Sequence, residues 1–207
     1  MKHLLFYGYE ILSAFLPFSI VFVMIRNTQK KQSGLLNRSA YLVILVFSIY
    51  IIAVYHLTGT GTLYDGFLYQ LEFRPEQFNI IPFSNGMDIT SFFNILLFIP
   101  LGFLNPFIWK RMDHIIAVLG VSFFTTTLIE LSQLLNNRRT DIDDIILNLA
   151  GAVIGFGLYR TIKKLGYTKR QIDCVLVLEP IIYILAIFLG RFLLFNEMGI
   201  AKLIYGF

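Results

Sequence analysis

The chain alternates between long apolar runs and short polar stretches, and the apolar runs are nearly uniform in length. Six of them, at 4–25, 40–58, 91–109, 115–135, 142–162 and 175–195, hold 19 to 22 residues each. At ~1.5 Å rise per residue, a helix of that length crosses a ~30 Å hydrocarbon core. The pattern predicts an all-α, polytopic transmembrane bundle of about six membrane helices, forming a single domain over 1–207. The first run is too long for a signal-peptide core and lacks a small-x-small cleavage site, so it reads as a retained membrane helix. Pro100 interrupts the third run, removes a backbone hydrogen bond and predicts a kink there. The stretch 59–90, at 32 residues, is too long for a plain connector and reads as a cap over a site.

The pattern breaks most sharply in 130–157. Both flanks are apolar enough for a membrane, yet the middle is dense with charge. Glu130 and Gln133 end the fourth run. Arg138, Arg139, Asp141, Asp143 and Asp144 fill the hairpin, and Asn148 opens the fifth run. Asp141, Asp144, Asn148, Gly151 and Gly155 are spaced 3, 4, 3, 4 and share one helical face. Small residues on that face admit a neighbouring helix, whose own groups then meet the polar end.

Composition agrees with the pattern. The chain is 57% hydrophobic and 14% charged, with a mean hydropathy of +0.71, where a soluble domain carries about 25% charged residues. The net charge of +4 does not point to nucleic acid, because the basic residues lie between apolar runs. A single cysteine, Cys174, excludes an internal disulfide. Arg26, Lys30, Lys31 and Arg38 follow the first run, Lys110 and Arg111 the third, and Arg160, Lys163, Lys164, Lys169 and Arg170 the fifth. The stretch 59–90 carries only Arg74 against Asp65, Glu72, Glu76 and Asp88. Basic loops stay cytoplasmic, so both termini are expected outside. Arg138 and Arg139 break that bias on the outer side. On this topology Asn94, Glu130, Gln133, Asp143, Asp144, Asn148 and His56 fall at one depth, and Glu10 and Arg191 lie in the outer halves of their helices.

Each polar group has a structural reading and a functional one. Thr140 or Asp141 can cap the fifth helix, with acidic residues in its first turn complementing the dipole. Capping accounts for one or two aspartates and less well for three with Arg139 and Asn148 alongside. The functional reading is a site for a phosphate, sugar or cationic head group, bound through Arg139 directly or through a divalent cation on the carboxylates. No specific metal-ligand spacing marks such a cation, and no cofactor is identified. Glu130 is costly inside a membrane helix, by about 2.5–3.5 kcal/mol at mid-depth on insertion scales. It either pairs with Arg138 or Arg139, or serves as a general acid or base in an outer cavity. Asn94 and Asn148 suit hydrogen bonds between helices. His56 reads as interfacial or structural, and Glu10 with Arg191 as a structural pair between the first and last helices.

At these residues the chain resembles the VanZ family of bacterial membrane proteins. The matching stretches are Asn79-Ile-Ile-Pro-Phe83, Asn94-Ile-Leu-Leu-Phe-Ile-Pro-Leu-Gly-Phe103, Glu130-x-x-Gln133, Arg139-x-Asp141-x-Asp-Asp144 and Asn148-x-x-Gly-Ala-x-x-Gly155. They span 79–157, with flanking helices at 4–25, 40–58 and 175–195. The resemblance implies a multi-pass protein of the bacterial plasma membrane. The family's named member lowers susceptibility to teicoplanin, a lipid-tailed glycopeptide, without altering the peptidoglycan terminus. No settled reaction comes with the resemblance.

No GxSxG, HExxH, Walker A or Cys/His zinc pattern is present, which disfavours a serine hydrolase, a zincin and a nucleotide-driven pump. Two functions then fit. One is an envelope protein that binds a lipid-linked cell-wall component, or the lipid-tailed antibiotic, in an outward polar cavity. Arg139 would meet an anionic group there, and Asn94, Gln133, Arg138, Asp141, Asp143 and Asn148 would complete the site. The other is a membrane enzyme acting on a lipid-linked phosphate or sugar, with Glu130 as general acid/base and Asp141 and Asp144 holding a divalent cation. A transporter hinged at Pro100 ranks last, because the inner halves of the third to fifth helices are apolar apart from Asn105.

Overall fold

The computed structural model describes residues 2–33, 38–69, 77–84, 86, 89–166, 172, 176 and 178–205. The apolar runs are all helices: α1 (Lys2–Ser33), α2 (Arg38–Leu57), α4 (Ile89–Ile108), α5 (Ile115–Gln133), α6 (Ile142–Lys164) and α7 (Glu179–Leu194). Five are long and apolar enough to cross a membrane by themselves, and α7 becomes a sixth span when joined to α8 (Glu197–Tyr205) across a 50° bend. The chain is a multi-pass helical membrane protein. Outward-facing Leu12, Leu16, Ile20, Val46, Ile49, Phe92 and Phe93 present the apolar surface such a protein offers to lipid.

Two elements differ from the sequence expectation. The helix α1 continues eight residues past Ile25, so Arg26, Lys30 and Lys31 belong to a helix rather than a loop. The helix α8 was not foreseen, because nine residues are too few to register as a span. The stretch 59–90 is partly structured. A short helix, α3 (Leu63–Leu68), starts with a capping box in which Thr62 Oγ1 accepts from the Asp65 amide and Asp65 Oδ2 accepts from the Thr62 amide at 2.6 Å. Glu72, Arg74, Glu76, Asp88, Lys169, Arg170 and Cys174 lie outside the described residues.

Two helix pairs carry the packing: α4 lies along α6, and α1 along α7. The first depends on glycine. A Cβ on Gly151 would stand 2.2 Å from the Ile95 carbonyl oxygen, one on Gly155 2.0 Å from that of Ile99, and one on Gly102 2.1 Å from that of Ala152. Backbones this close make van der Waals contact along the whole seam, the association that membranes favour. The expected face of Gly151 and Gly155 is therefore the α4 face. The helix α4 is continuous from Ile89 to Ile108 with Pro100 and Pro106 inside it. In the turn before Pro100, the Tyr50 hydroxyl of α2 donates to the Leu97 carbonyl at 2.5 Å.

The second pair, α1–α7, is tied by charge. Arg26 of α1 meets Glu179 of α7, and Arg191 of α7 meets Glu10 of α1 at 2.9 Å. Glu10 and Arg26 are 16 residues apart, about 24 Å along the helix, so one ion pair sits near each end of the seam. Between them α2 presents Ile44, Phe47, Ser48, Ile51, Ile52, Val54 and Tyr55 to the core, the spacing of one helical face. Phe47 stacks edge-on against Trp109 at 5.0 Å at the centre of that core.

Candidate functional site

The charged hairpin between α5 and α6 is short and fully shaped. After α5 one turn of 3₁₀ helix (Leu134–Asn136) leads to Asn137, which takes a left-handed φ of +59° and reverses the chain. Residues Thr140–Asp141 then form strand β2, which pairs in parallel with strand β1, Phe78–Asn79. Two residues are too few to read as a strand from sequence, and their partners lie about sixty positions away.

The aspartates are each engaged differently. Asp141 caps α6, accepting from the Asp143 amide at 2.9 Å, and its two oxygens receive the Asn79 side-chain amide at 3.1 and 3.0 Å. Asp143 is buried and accepts the Phe83 amide at 2.7 Å. Phe83 has a φ of +57°, so this carboxylate holds a turn that a phenylalanine adopts only at a cost. Asn79 Oδ1 accepts from Ser84 Oγ at 3.1 Å and closes the same turn. Asp144 accepts from the Asn94 side-chain amide of α4. The motif Asn79-Ile-Ile-Pro-Phe83 is thus a loop folded onto the first turn of α6, which gives the two distant sequence patterns one physical origin.

The other members are partly absorbed by packing. Gln133 Nε2 and Arg138 both donate to the Thr58 carbonyl, at 2.8 and 2.7 Å, and seat the end of α2 on the end of α5. Asn136, absent from the sequence reading, does the same to the Gly59 carbonyl at 2.9 Å. Asn148 donates to Thr126 of α5 at 2.8 Å, the interhelical bond expected of it, while its Oδ1 has no partner among the described residues. His56 does not stand alone: its Nδ1 lies 2.8 Å from Glu10 Oε2, beside the Arg191 pair. The buried cluster of Arg26, Glu179, Tyr183 and Trp109 was also missed. Its one signal was an acidic residue inside the last apolar run; Arg26 looked like a loop cation because it follows the first apolar run and precedes Lys30 and Lys31.

Two groups remain uncommitted. Glu130 is 2% exposed at the end of α5. Its Oε2 accepts the Asp141 amide at 3.1 Å and its backbone carbonyl accepts Thr140 Oγ1 at 3.0 Å. It makes no ion pair among the described residues, so neither Arg138 nor Arg139 is its partner. Arg139 is exposed on the hairpin and has no hydrogen-bond or ion-pair partner among the described residues. No aspartate among the described residues forms an ion pair with Arg139. Among the described residues no group of three or more His, Cys, Asp or Glu converges as a metal site, so Asp141 and Asp144 do not assemble one with Glu130.

The fold and this cluster define a class: a multi-pass helical membrane protein in which α4 to α6 carry a buried carboxylate with no ion-pair partner among the described residues, next to a loop folded onto the first turn of α6. Within that class the lineage is specific. Residues 41–163, more than half of the chain, match the VanZ/LLP1 family, and the chain belongs to it. The matched region contains most of α2, the loop of β1, α4, α5, the hairpin and nearly all of α6, so the elements of the site lie within the family region. No curated protein and no solved structure matches the chain.

Proposed function

We propose that this protein resides in the bacterial plasma membrane, with both termini outside, and lowers susceptibility to teicoplanin and similar lipid-tailed glycopeptides. It does so by holding a lipid-linked cell-wall component, or the antibiotic itself, at the Glu130 hairpin. The observation that carries this reading is Glu130: a membrane-helix carboxylate buried with no ion-pair partner among the described residues is functional by default, since a purely structural carboxylate is normally paired. Arg139, exposed on the same hairpin, supplies the cation for a phosphate or carboxylate on the ligand, with bidentate geometry available to it. Asp141, Asp143 and Asp144 position the loop and α6 around that pair. Asn94, Gln133 and Arg138 act in the same way, through Asp144 and Thr58.

Glu130 also favours one alternative, in which the protein is an enzyme acting on a lipid-linked phosphate or sugar with Glu130 as general acid/base. Asp144 then serves as its neighbouring carboxylate, and a divalent cation would have to bring ligands from the substrate.

The test is teicoplanin and vancomycin susceptibility in a Gram-positive host carrying empty vector, wild type, Arg139→Gln or Asp144→Asn, with membrane abundance matched. Protection against teicoplanin that Arg139→Gln removes supports the binding reading. Protection that survives both changes moves the function away from the hairpin. Binding of a lipid-linked precursor that persists in Glu130→Gln while protection disappears selects the enzyme.

A further inference from the structure

The seam between α1 and α2 is open. The helix α1 packs along α7 and only lightly on α2. Two cavities, of about 470 and 420 Å³, line that seam end to end and share Phe15 and Leu45. The first ends at Glu10 and His56, the second at Arg38 and Tyr41. Arg38 and His56 stand 18 residues apart on α2, about 27 Å along the axis and close to the hydrocarbon thickness. The groove therefore runs through most of the bilayer, apolar in the middle and polar at both ends.

Its lining separates two kinds of occupant. A partner helix packs on small residues, as α6 packs on α4 through Gly151 and Gly155. Here the walls are mostly bulky, Phe15, Phe18, Phe22, Leu42 and Leu45, with Ser19 and Ala53 the small residues among them, a lining that suits a flexible chain better than a second backbone. Phe22 and Tyr41 meet edge to face at 5.9 Å near the Arg38 end. Arg38 is exposed at the start of α2 and makes no ion pair among the described residues, so its charge is free for an anionic group at the membrane surface.

We infer that the α1/α2 seam is a lipid site, in which an acyl chain of an anionic phospholipid lies on Phe15 and Leu45 with its phosphate at Arg38. This site is separate from the Glu130 hairpin and does not depend on the function proposed for it.

The full chain is reconstituted in nanodiscs of equal phosphatidylglycerol and phosphatidylcholine, then re-extracted in mild detergent, and the bound lipid is counted by native mass spectrometry. Wild type retains phosphatidylglycerol over phosphatidylcholine by about fivefold, the weight of one arginine beside an anionic group. Arg38→Gln, an exposed change that leaves the packing alone, brings the ratio to near unity. Leu45→Trp fills the point that the two cavities share and lowers retention of both lipids. A ratio that Arg38→Gln leaves unchanged overturns the phosphate contact. Wild-type retention in a monodisperse Leu45→Trp protein overturns the groove. A dimer in wild type that Leu45→Trp dissolves, with no lipid retained by either, shows the seam to be a protein interface instead.

Discussion

The two helix pairs at the heart of the molecule are held by opposite means. The pair α1–α7 is locked near both ends by ion pairs, Arg26–Glu179 and Glu10–Arg191. The pair α4–α6 is held by glycines that let the backbones touch, and α4 contains no charged residue at all. Three buried glutamates can therefore be compared. Glu10 and Glu179 each face an arginine and also bond a second group, His56 or Trp109. Glu130, at the end of α5, accepts the Asp141 amide and makes no ion pair among the described residues. A paired carboxylate is explained by the helices it joins. Glu130 ties the end of α5 only to the backbone that starts α6, and no cation forms an ion pair with it among the described residues.

The comparison can be broken in graded steps. The largest effect is expected from Gly155→Leu. Its side chain must enter a space where even a Cβ lies 2.0 Å from a backbone oxygen, so α4 and α6 separate and no monodisperse protein survives size-exclusion chromatography in detergent. Next is Arg26→Ala, which leaves Glu179 fully buried without a counter-charge and should cost about 3–5 kcal/mol in denaturant unfolding. Smaller is the Glu10–Arg191 cycle: the double change Glu10→Gln with Arg191→Gln should be no less stable than either single change, a coupling of about 0.5–3 kcal/mol. Additive losses would show the two residues to be independent. The smallest stability effect belongs to Glu130→Gln. The amide oxygen can still accept from the Asp141 N–H, so unfolding should shift by no more than about 1 kcal/mol.

The helices were legible in the sequence because a bilayer forces a length and a polarity on every span, and all six expected runs are helical. The Gly151/Gly155 face was legible for the same reason that it works, a 3–4 periodicity of small residues. The Glu10–Arg191 pair could be anticipated because both charges interrupt apolar runs at one depth. What could not be read was anything fixed by two distant short segments. The β1–β2 pairing, Asp143 on the Phe83 amide and Asn79 on Asp141 depend on where the loop lands, and no local periodicity encodes that. Arg26 was misread because its burial is decided by a neighbouring helix, through Glu179 of α7, rather than by the hydropathy around the residue. The hairpin's acidic residues look like a ligand cluster in one dimension. In three dimensions Asp141, Asp143 and Asp144 are ties between elements, while Glu130 and Arg139 make no ion pair among the described residues.

The central claim is that Glu130 serves function and not folding. The most direct measurement is teicoplanin susceptibility of a Gram-positive host expressing Glu130→Gln beside wild type, at equal membrane abundance and with equal thermal stability of the purified proteins. Loss of protection by a variant that folds as well as wild type is the predicted result. Full protection by Glu130→Gln would contradict the claim and return this carboxylate to the structural role that Glu10 and Glu179 already fill.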